Sequence, residues 1–572
     1  VTPVATIRRR AAAGAAQLVA QGMDPLLARI YAGRGVVDGG EVDHRLRGLL
    51  APDSLGGIDR AAALLADAIT AGRRIVVVGD FDCDGATGCA VGVEGLRSLG
   101  AAEPRFAVPH RQLHGYGLGP ALVESLRPLA PELIVTVDNG IASVAGVDAA
   151  NRAGIPVLVT DHHLPGPELP RAAAIVDPNL PDDPFPSKAL PGVGVMFYAL
   201  LATRACLRAR GWFAAGRDEP DLAPLLDRVA LGTIADLVPL DRNNRILVEA
   251  GLRRIRAGLA SPGVAALFEI AGRDAATAVA SDLGFGIAPR VNAAGRLEDM
   301  ALGIRCLLAT DLAQAHALAA RLDAINRERR ELQGQMTDDA RAIVDGLDRL
   351  GAHGGGLCLF DPTWHAGVVG LVASKMKDRL GRPVFAFAAA EDGTLRGSGR
   401  SVPGFHLRDA LVEVDAQCPG LIGRFGGHAM AAGMTLAAGA LPAFEQAFAE
   451  VSRRRLPEAS GTTIWTDGEL PAADATLERA AQLRAAGPWG QGFPEPSFDG
   501  AFDVDEVRAM AGRHQRLRLR HRACGTAVDA VHFDGADAGP VPQRLRAVYE
   551  LAIDEWRGER RLRLFLRHRE PA

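Results

Sequence analysis

Ile75-Val-Val-Val-Gly-Asp-Phe-Asp-Cys-Asp-Gly85 is the stretch whose reading decides the fold. The apolar residues Ile75 to Val78 suit an interior parallel strand, and Gly79 and Gly85 mark where it stops. If the extended conformation continues, Asp80, Asp82 and Asp84 fall at period two and share one face. Like charges on one face repel unless a cation sits among them, and a divalent ion with oxygen ligands is the simplest remedy. The stretch therefore predicts a metal site at the carboxyl end of a strand, where open α/β sheets place their ligands. A calcium-loop reading fails, because the twelfth position counted from Asp80 is Val91 rather than glutamate.

Two later segments repeat the pattern. Leu133-Ile-Val-Thr-Val137 ends in Asp138-Asn139-Gly140, and Ile155-Pro-Val-Leu-Val-Thr160 ends in Asp161-His162-His163. Helix-compatible stretches over 87–99 and 141–153 follow the first two apolar runs, so the units read as βαβ. Taken singly, each acid reads as a turn former or helix cap, and each histidine as a surface or core residue. On successive strand ends of a parallel sheet they converge on one edge. Asp236 lies in the apolar stretch 230–239, where a lone carboxylate would be costly. Mixed aspartate and histidine ligands suit Mn²⁺ or Mg²⁺, with Zn²⁺ less suited because no cysteine cluster contributes. A metal-assisted hydrolase is the expectation.

At 572 residues and 60.0 kDa the chain is too long for one core, and roughly three or four domains are expected. The composition, 48% hydrophobic and 23% charged, is that of globular material. No apolar stretch is expected to approach the ~18 residues of a membrane span. The seven cysteines (83, 89, 206, 306, 358, 418 and 524) are scattered with no C-x-x-C, which points to reduced thiols and a cytoplasmic location. Arg8-Arg9-Arg10 reads as the lead into a plain amphipathic helix carrying Leu26, Leu27, Ile30 and Tyr31, not as a targeting signal. A net charge of −4 does not advertise nucleic acid, yet it does not exclude a local cationic groove. In Arg516-Leu-Arg-Leu-Arg520 arginines alternate with leucines. This is either a nucleic-acid face or a solvated strand face balanced by Asp529, Asp554, Glu555 and Glu559.

Along the chain, residues 1–50 read as a helical arm and 51–270 carry the βα units with all the acidic clusters. Residues 271–350 hold a turn motif and a long charged helix over 312–347, and 351–450 form a second, smaller α/β unit. Residues 455–572 hold six short alternating strands between 462 and 567, which suits an OB-fold barrel. Gly397-Ser-Gly-Arg-Ser401 reads as a phosphate-binding loop: glycines admit the backbone, Ser398 and Ser401 offer hydroxyls, and Arg400 a guanidinium fork. Ala288-Pro-Arg-Val-Asn-Ala-Ala-Gly-Arg296 places Arg290, Asn292 and Arg296 around what reads as a tight turn, to which the same argument applies.

These residues carry a family resemblance. The chain resembles the DHH-family phosphoesterases, and among them the RecJ single-strand DNA exonucleases. The carrying motifs are Val78-Gly-Asp-Phe-Asp-Cys-Asp-Gly85, Val137-Asp-Asn-Gly140, Thr160-Asp-His-His163, Asp177-Pro-Asn179, Gly232-Thr-Ile-Ala-Asp236 and Pro289 to Arg296. The second lobe resembles the associated DHHA1 domain through Trp364-His365, Gly397 to Ser401 and Gly426-Gly-His428, and Gly487 to Pro496 resembles the segment leading into the family's OB-fold. The resemblance implies a parallel-sheet DHH domain, a smaller α/β DHHA1 domain joined by a long helix, and a C-terminal OB-fold barrel. It implies two divalent ions, Mn²⁺ or Mg²⁺, held by Asp82, Asp84, Asp138, His162 and Asp236, with Asp80 in or just behind the ligand shell. It further implies His163 on the scissile phosphate, and Arg111, Arg290, Asn292, Arg296, Ser398, Arg400 and Ser401 on the DNA. Tyr116 would meet a base, and His428 would line the channel. Some relatives carry histidine where this chain has Val78. The implied activity is processive 5′→3′ hydrolysis of single-stranded DNA to 5′-mononucleotides in repair and recombination. A RecQ-type helicase and a single-strand binding protein are the implied partners, with no membrane involved. The rival readings are a phosphodiesterase on short oligoribonucleotides or cyclic dinucleotides, and a non-catalytic nucleic-acid clamp.

Overall fold

Ile75–Val78 forms a fully buried strand at the inside of a parallel sheet, as its unbroken apolar run requires. A computed structural model of the chain describes residues 6–110, 114–214, 216–349, 355–456, 463–510, 513–556 and 559–572. An initial strand, β1 (Thr6–Arg9), precedes short helices and the sheet strands β2 (Ile75–Val78), β3 (Arg105–Ala107), β4 (Leu133–Val137), β5 (Val157–Thr160) and β6 (Ala174–Val176). Their spatial order is β3-β2-β4-β5-β6, and every pair is parallel. The chain leaves β2 for one side of the sheet and returns to the other at β4, so the topological switch point lies between β2 and β4. Both faces are covered: Val77, Val135 and Leu158 join one core, Val76, Val78, Ile134 and Val159 another.

The chain forms two compact units, one made of Arg9–Asp323 with Trp465–Ala572, the other centred on Ala324–Ile464. In the first unit a single hydrophobic core runs from Leu18 through Met196 to Leu470, Trp489, Phe498 and Leu566. Polar ties reinforce it. Arg34 pairs with Asp467 at 2.8 Å, and the Tyr31 ring stacks on Trp489 and Phe493 with centroids 5.8 and 6.1 Å away. The buried guanidinium of Arg228 is neutralised by Glu94 and Asp227.

The helix Gly192–Ala209 corrects one sequence expectation. Its 18 residues, with mean hydropathy 1.2, are long and apolar enough to cross a membrane, and 61% of it is buried inside the protein. It packs against the helices Cys83–Ser98 and Ile58–Thr70 at the centre of the unit. Its first half, Gly192 to Leu200, is buried at every residue and needs no polar face, which is why the helix passes a membrane test on composition.

The second unit holds β7 (Leu357–Phe360), β8 (Val384–Ala389), β9 (Thr394–Arg400), β10 (Arg424–Gly427) and β11 (Ala431–Ala437) in the order β10-β11-β9-β8-β7. Gly397 to Arg400 is therefore strand, not loop. Its glycines serve packing: a Cβ would lie 2.3 Å from the Phe387 ring at Gly397 and 2.5 Å from the Phe385 ring at Gly399. The segment 288–296, read as a tight turn, is the helix Ala288–Leu297.

Of the six short strands expected near the C-terminus, β12 (Thr463–Thr466) pairs with β1 instead of joining the barrel. The other five, β13 (Phe498–Ala509), β14 (Gln515–His521), β15 (Ala527–His532), β16 (Arg544–Trp556) and β17 (Glu559–Pro571), close into a barrel in the order β13-β14-β15-β17-β16. Closure removes exposed sheet edges. On β14, Arg516 and Arg518 share Asp529 at 3.1 and 2.7 Å, and Arg520 pairs with Asp505 at 2.7 Å. Each of these arginines keeps about half its side chain exposed.

Candidate metal centre

The acids converge at the switch point, but not by strand alternation. The strand ends at Val78, and Asp82 becomes the N-cap of Cys83–Ser98, its Oδ1 accepting from Gly85 N at 3.0 Å. Gly85 is required because a Cβ there would sit 2.4 Å from the Asp80 backbone nitrogen. Asp84 thus lies in the first helical turn, 1% exposed. Its carboxylate is clasped by the start of the helix Gly192–Ala209: Gly192 N donates to Oδ2 at 2.7 Å and Val193 N to Oδ1 at 2.9 Å. A helix N-terminus favours that charge. Burial and the Asp82 charge nevertheless push the Asp84 carboxyl up to about 7.

Asp138 ends β4 with φ +62°, a left-handed turn that aspartate tolerates better than most residues. Its Oδ1 lies 3.1 Å from His162 Nε2, which is 3.5 Å from Asp236 Oδ2 at the C-terminus of the helix Leu226–Ala235. The backbone carbonyl of His162 accepts from Asn179 Nδ2 at 2.6 Å. Burial and the surrounding acids raise Asp138 and Asp236 well above the usual carboxylate range. Burial, helped by the charge of His163, lowers His162 to about 4, which keeps its imidazole neutral as a metal ligand must be.

Asp161, a strand-end acid assigned no site role from the sequence, organises the histidines. Buried at 1% exposure, it accepts from Ile141 N at 2.9 Å, from His162 N at 2.8 Å and from His163 N at 3.2 Å. His163 Nδ1 lies 2.8 Å from the same carboxylate, leaving Nε2 to face the Tyr116 hydroxyl at 3.4 Å. Burial pushes His163 down, but the hydrogen bond and charge of Asp161 outweigh it and raise this imidazole to about 9. Asp161 follows an apolar run just as Asp138 does, so its position was legible in the sequence, while its hold on the histidines came only with the structure.

Three groups can each hold an ion, their ligand atoms lying within 4.8 Å of one another: Asp80, Asp82 and Asp138; Asp84, His162 and Asp236; Asp138, His162 and His163. Asp236 Oδ2 is buried without a hydrogen-bond partner. Carboxylate oxygens with imidazole form a hard donor set that fits Mn²⁺ or Mg²⁺.

Residues 74–233 match the DHH family, N-terminal domain, residues 353–453 the DHHA1 domain, and residues 466–568 the RecJ OB domain. The single-stranded-DNA-specific exonuclease RecJ of Dickeya dadantii is 50% identical over 553 residues, 96% of each chain. That of Escherichia coli is 47% identical over 571 residues, 98% of each chain. The chain belongs to the RecJ family of single-stranded-DNA-specific exonucleases. A crystal structure of RecJ in complex with Mn²⁺ from Thermus thermophilus is similar, with TM-score 0.81 and 31% identity over 99% of this chain and 80% of that one. The Mg²⁺ complex from the same organism gives TM-score 0.75 and 29% identity over 99% and 79%.

The residues that RecJ resemblance assigns to DNA are placed as follows. Tyr116 is 52% exposed and donates to the Asp138 carbonyl at 3.3 Å, so its ring reaches solvent beside the acids. Arg290 pairs with Asp323 at 2.9 Å and donates to the Gly286 carbonyl, while Asn292 Oδ1 accepts from Cys83 N at 2.9 Å and so braces the metal loop. Arg296 is half-buried in the last turn of the same helix. In the second unit Arg400 donates to Ser398 Oγ at 3.0 Å, and both abut the first turn of Val369–Leu380, where a Cβ on Gly370 would meet them at 2.8 and 2.9 Å. Burial lowers the Arg400 guanidinium. The buried Ser401 hydroxyl is committed to the Phe405 carbonyl at 2.7 Å, and His428 is exposed. Arg111 lies outside the described residues.

Proposed function

We propose that this chain hydrolyses single-stranded DNA processively from the 5′ end, releasing 5′-mononucleotides, with two divalent ions, Mn²⁺ or Mg²⁺. The observation that carries the reading is the meeting of Asp80, Asp82, Asp84, Asp138, His162 and Asp236 at the switch point of a parallel sheet. Asp80, Asp82 and Asp138 would hold one ion, and Asp84, His162 and Asp236 the other, with Asp138 close enough to His162 to be shared. When bound, such a pair supplies positive charge to the phosphate and a water acidic enough to serve as nucleophile near neutral pH.

The protein's own groups do the rest. The helix start at Gly192 and Val193 fixes Asp84 as the acceptor of two N–H groups. Asp161 orients His163 through Nδ1 and leaves Nε2 beside the Tyr116 hydroxyl, from where it would hydrogen-bond a non-bridging phosphate oxygen. Ser398 and Arg400, against a helix N-terminus, suit a phosphate group, which supports their assignment to the 5′ end. The barrel, with half-exposed arginines on β14, suits more distal nucleotides. A nuclease confined to single strands depends on strand separation, which is the ground for a RecQ-type helicase and a single-strand binding protein as partners, in the cytoplasm, during repair and recombination.

Asp138→Ala should abolish Mn²⁺-dependent release of mononucleotides from 5′-labelled single-stranded DNA, with RNA and blunt duplex as comparison substrates. Full metal-dependent activity in that variant would sink the assignment.

A further inference from the structure

The site has an apolar edge that its ionic chemistry does not use. Phe285 is 81% exposed and Leu237 72%, the two most exposed large hydrophobic side chains among the described residues. Leu237 directly follows Asp236 and holds φ +60°, a left-handed conformation that a leucine adopts only under constraint. Phe285 stands on a π-helical turn, Asp282–Ile287, a rare geometry that is frequent at functional sites.

The packing ties the turn that carries Phe285 to the elements of the metal centre, and Leu237 adjoins Asp236 in the chain. Gly284 lies against Ile234, two residues before Asp236, with 3.1 Å between a Cβ there and Ile234 Cγ2. Gly286 lies against the Arg273 side chain in the same way at 3.4 Å, and accepts from Arg290. The turn runs directly into Ala288–Leu297, whose Asn292 braces the metal loop at Cys83 and whose Gly295 abuts the Phe81 carbonyl. The glycines that flank Phe285 thus let the turn seat closely, while the ring between them points to solvent. A phenyl group left outside the core gains nothing from folding.

We propose that Phe285, with Leu237 beside the same helix end, forms a ledge on which an unpaired nucleobase of the substrate strand stacks next to the scissile phosphate. The inference rests on the nuclease reading above and deepens it. Every base has an apolar face, so a phenyl ledge accepts any sequence. Bases in a duplex are already stacked on their neighbours, so the ledge favours single strands. Phe285 is here a specificity-determining residue and takes no part in the bond-breaking step.

The test is a cycle between the ring and the base. The full-length wild-type chain, Phe285→Ala and Phe285→Leu are assayed with Mn²⁺ on 5′-phosphorylated oligodeoxynucleotides carrying one abasic residue moved stepwise from the 5′ end. For the wild type, KM should rise by roughly tenfold at one abasic position, the size expected for one lost base–aromatic stack. Phe285→Ala should show the same rise on unmodified DNA and become indifferent to the abasic residue at that position. Phe285→Leu should fall between, and kcat and melting temperature should hold. A wild-type KM in Phe285→Ala, or a rise that simply adds to the abasic effect at every position, overturns the ledge. If the wild-type chain releases no nucleotide from single-stranded DNA, the nuclease reading itself fails and the ledge with it.

Discussion

Gly192→Ala should disable the metal centre although glycine 192 carries no ligand. Alanine is a better helix former than glycine, by up to about 1 kcal/mol in a helix interior, so propensity alone predicts no loss of stability at Gly192, the first residue of its helix. The local geometry reverses the sign. A Cβ on Gly192 would lie 2.5 Å from Asp138 Cβ and 2.7 Å from Asp138 Cα, so ordinary contact needs about 0.9 Å more room. Neither side yields easily. Asp138 is fixed at the end of β4 by its own N–H to the Thr160 carbonyl at 3.1 Å and by its left-handed turn. The helix start is fixed by its two bonds to Asp84. Overpacking of this kind costs about 1–3 kcal/mol. Misplacing a reactive group by about 1 Å costs on the order of 100-fold in rate. Initial rates of nucleotide release across a Mn²⁺ titration should therefore show a roughly 100-fold lower rate and a weaker apparent metal affinity. Gly194→Ala is the control: its Cβ would meet a Leu190 methyl group at 2.6 Å, the movable end of a side chain, so stability should fall slightly while metal affinity holds. A Gly192→Ala protein with wild-type rate and metal affinity would refute the reasoning.

Two other perturbations test different parts of the structure. Asp161→Asn replaces the carboxylate that orients His163 and should lower kcat by about 10–100-fold while KM moves less, since orienting partners of site residues carry effects of that size; an unchanged kcat would dismiss the role. Burial acts against the Asp499 carboxyl, but hydrogen bonds from Arg9, Arg546 and Thr466 win and hold it at about 2. A carboxyl depressed in the folded state adds stability above its unfolded value and loses it as pH falls through the folded one. Asp499→Asn should therefore remove about 2 kcal/mol at pH 7 and flatten the acid limb between about pH 4 and pH 2. Urea titrations across that range measure both, and equal stability of the two proteins at pH 7 would contradict the account.

Much of the site was legible because its chemistry is local. Asp80, Asp82, Asp84, Asp138 and His162 each follow an apolar run of strand length, and parallel strands deliver their ends to one edge whatever lies between them. Where packing across the chain chose the conformation, the local reading went astray. Gly397 and Gly399 suggest a loop until the Phe385 and Phe387 rings that require them are in view. Arg290 and Asn292 suggest a turn until the helix Ala288–Leu297 is seen seated on Phe81 and Cys83. The Gly192–Ala209 helix shows the same limit from the other side, since composition cannot tell a lipid surround from a protein one.

The sequence by itself determined the class of fold and the position of the Asp80–Asp84 run and of Asp138 just after buried strands. These follow from strand length and the cost of unpaired charge, both of which act between near neighbours in the chain. The tertiary structure alone decided which groups hold those acids in place. Asp84 is gripped by the backbone of a helix that starts 108 residues later, and Asp138 lies against the first glycine of that same helix. Such contacts join residues distant in the chain through backbone atoms that every residue carries, so no pattern of side chains announces them.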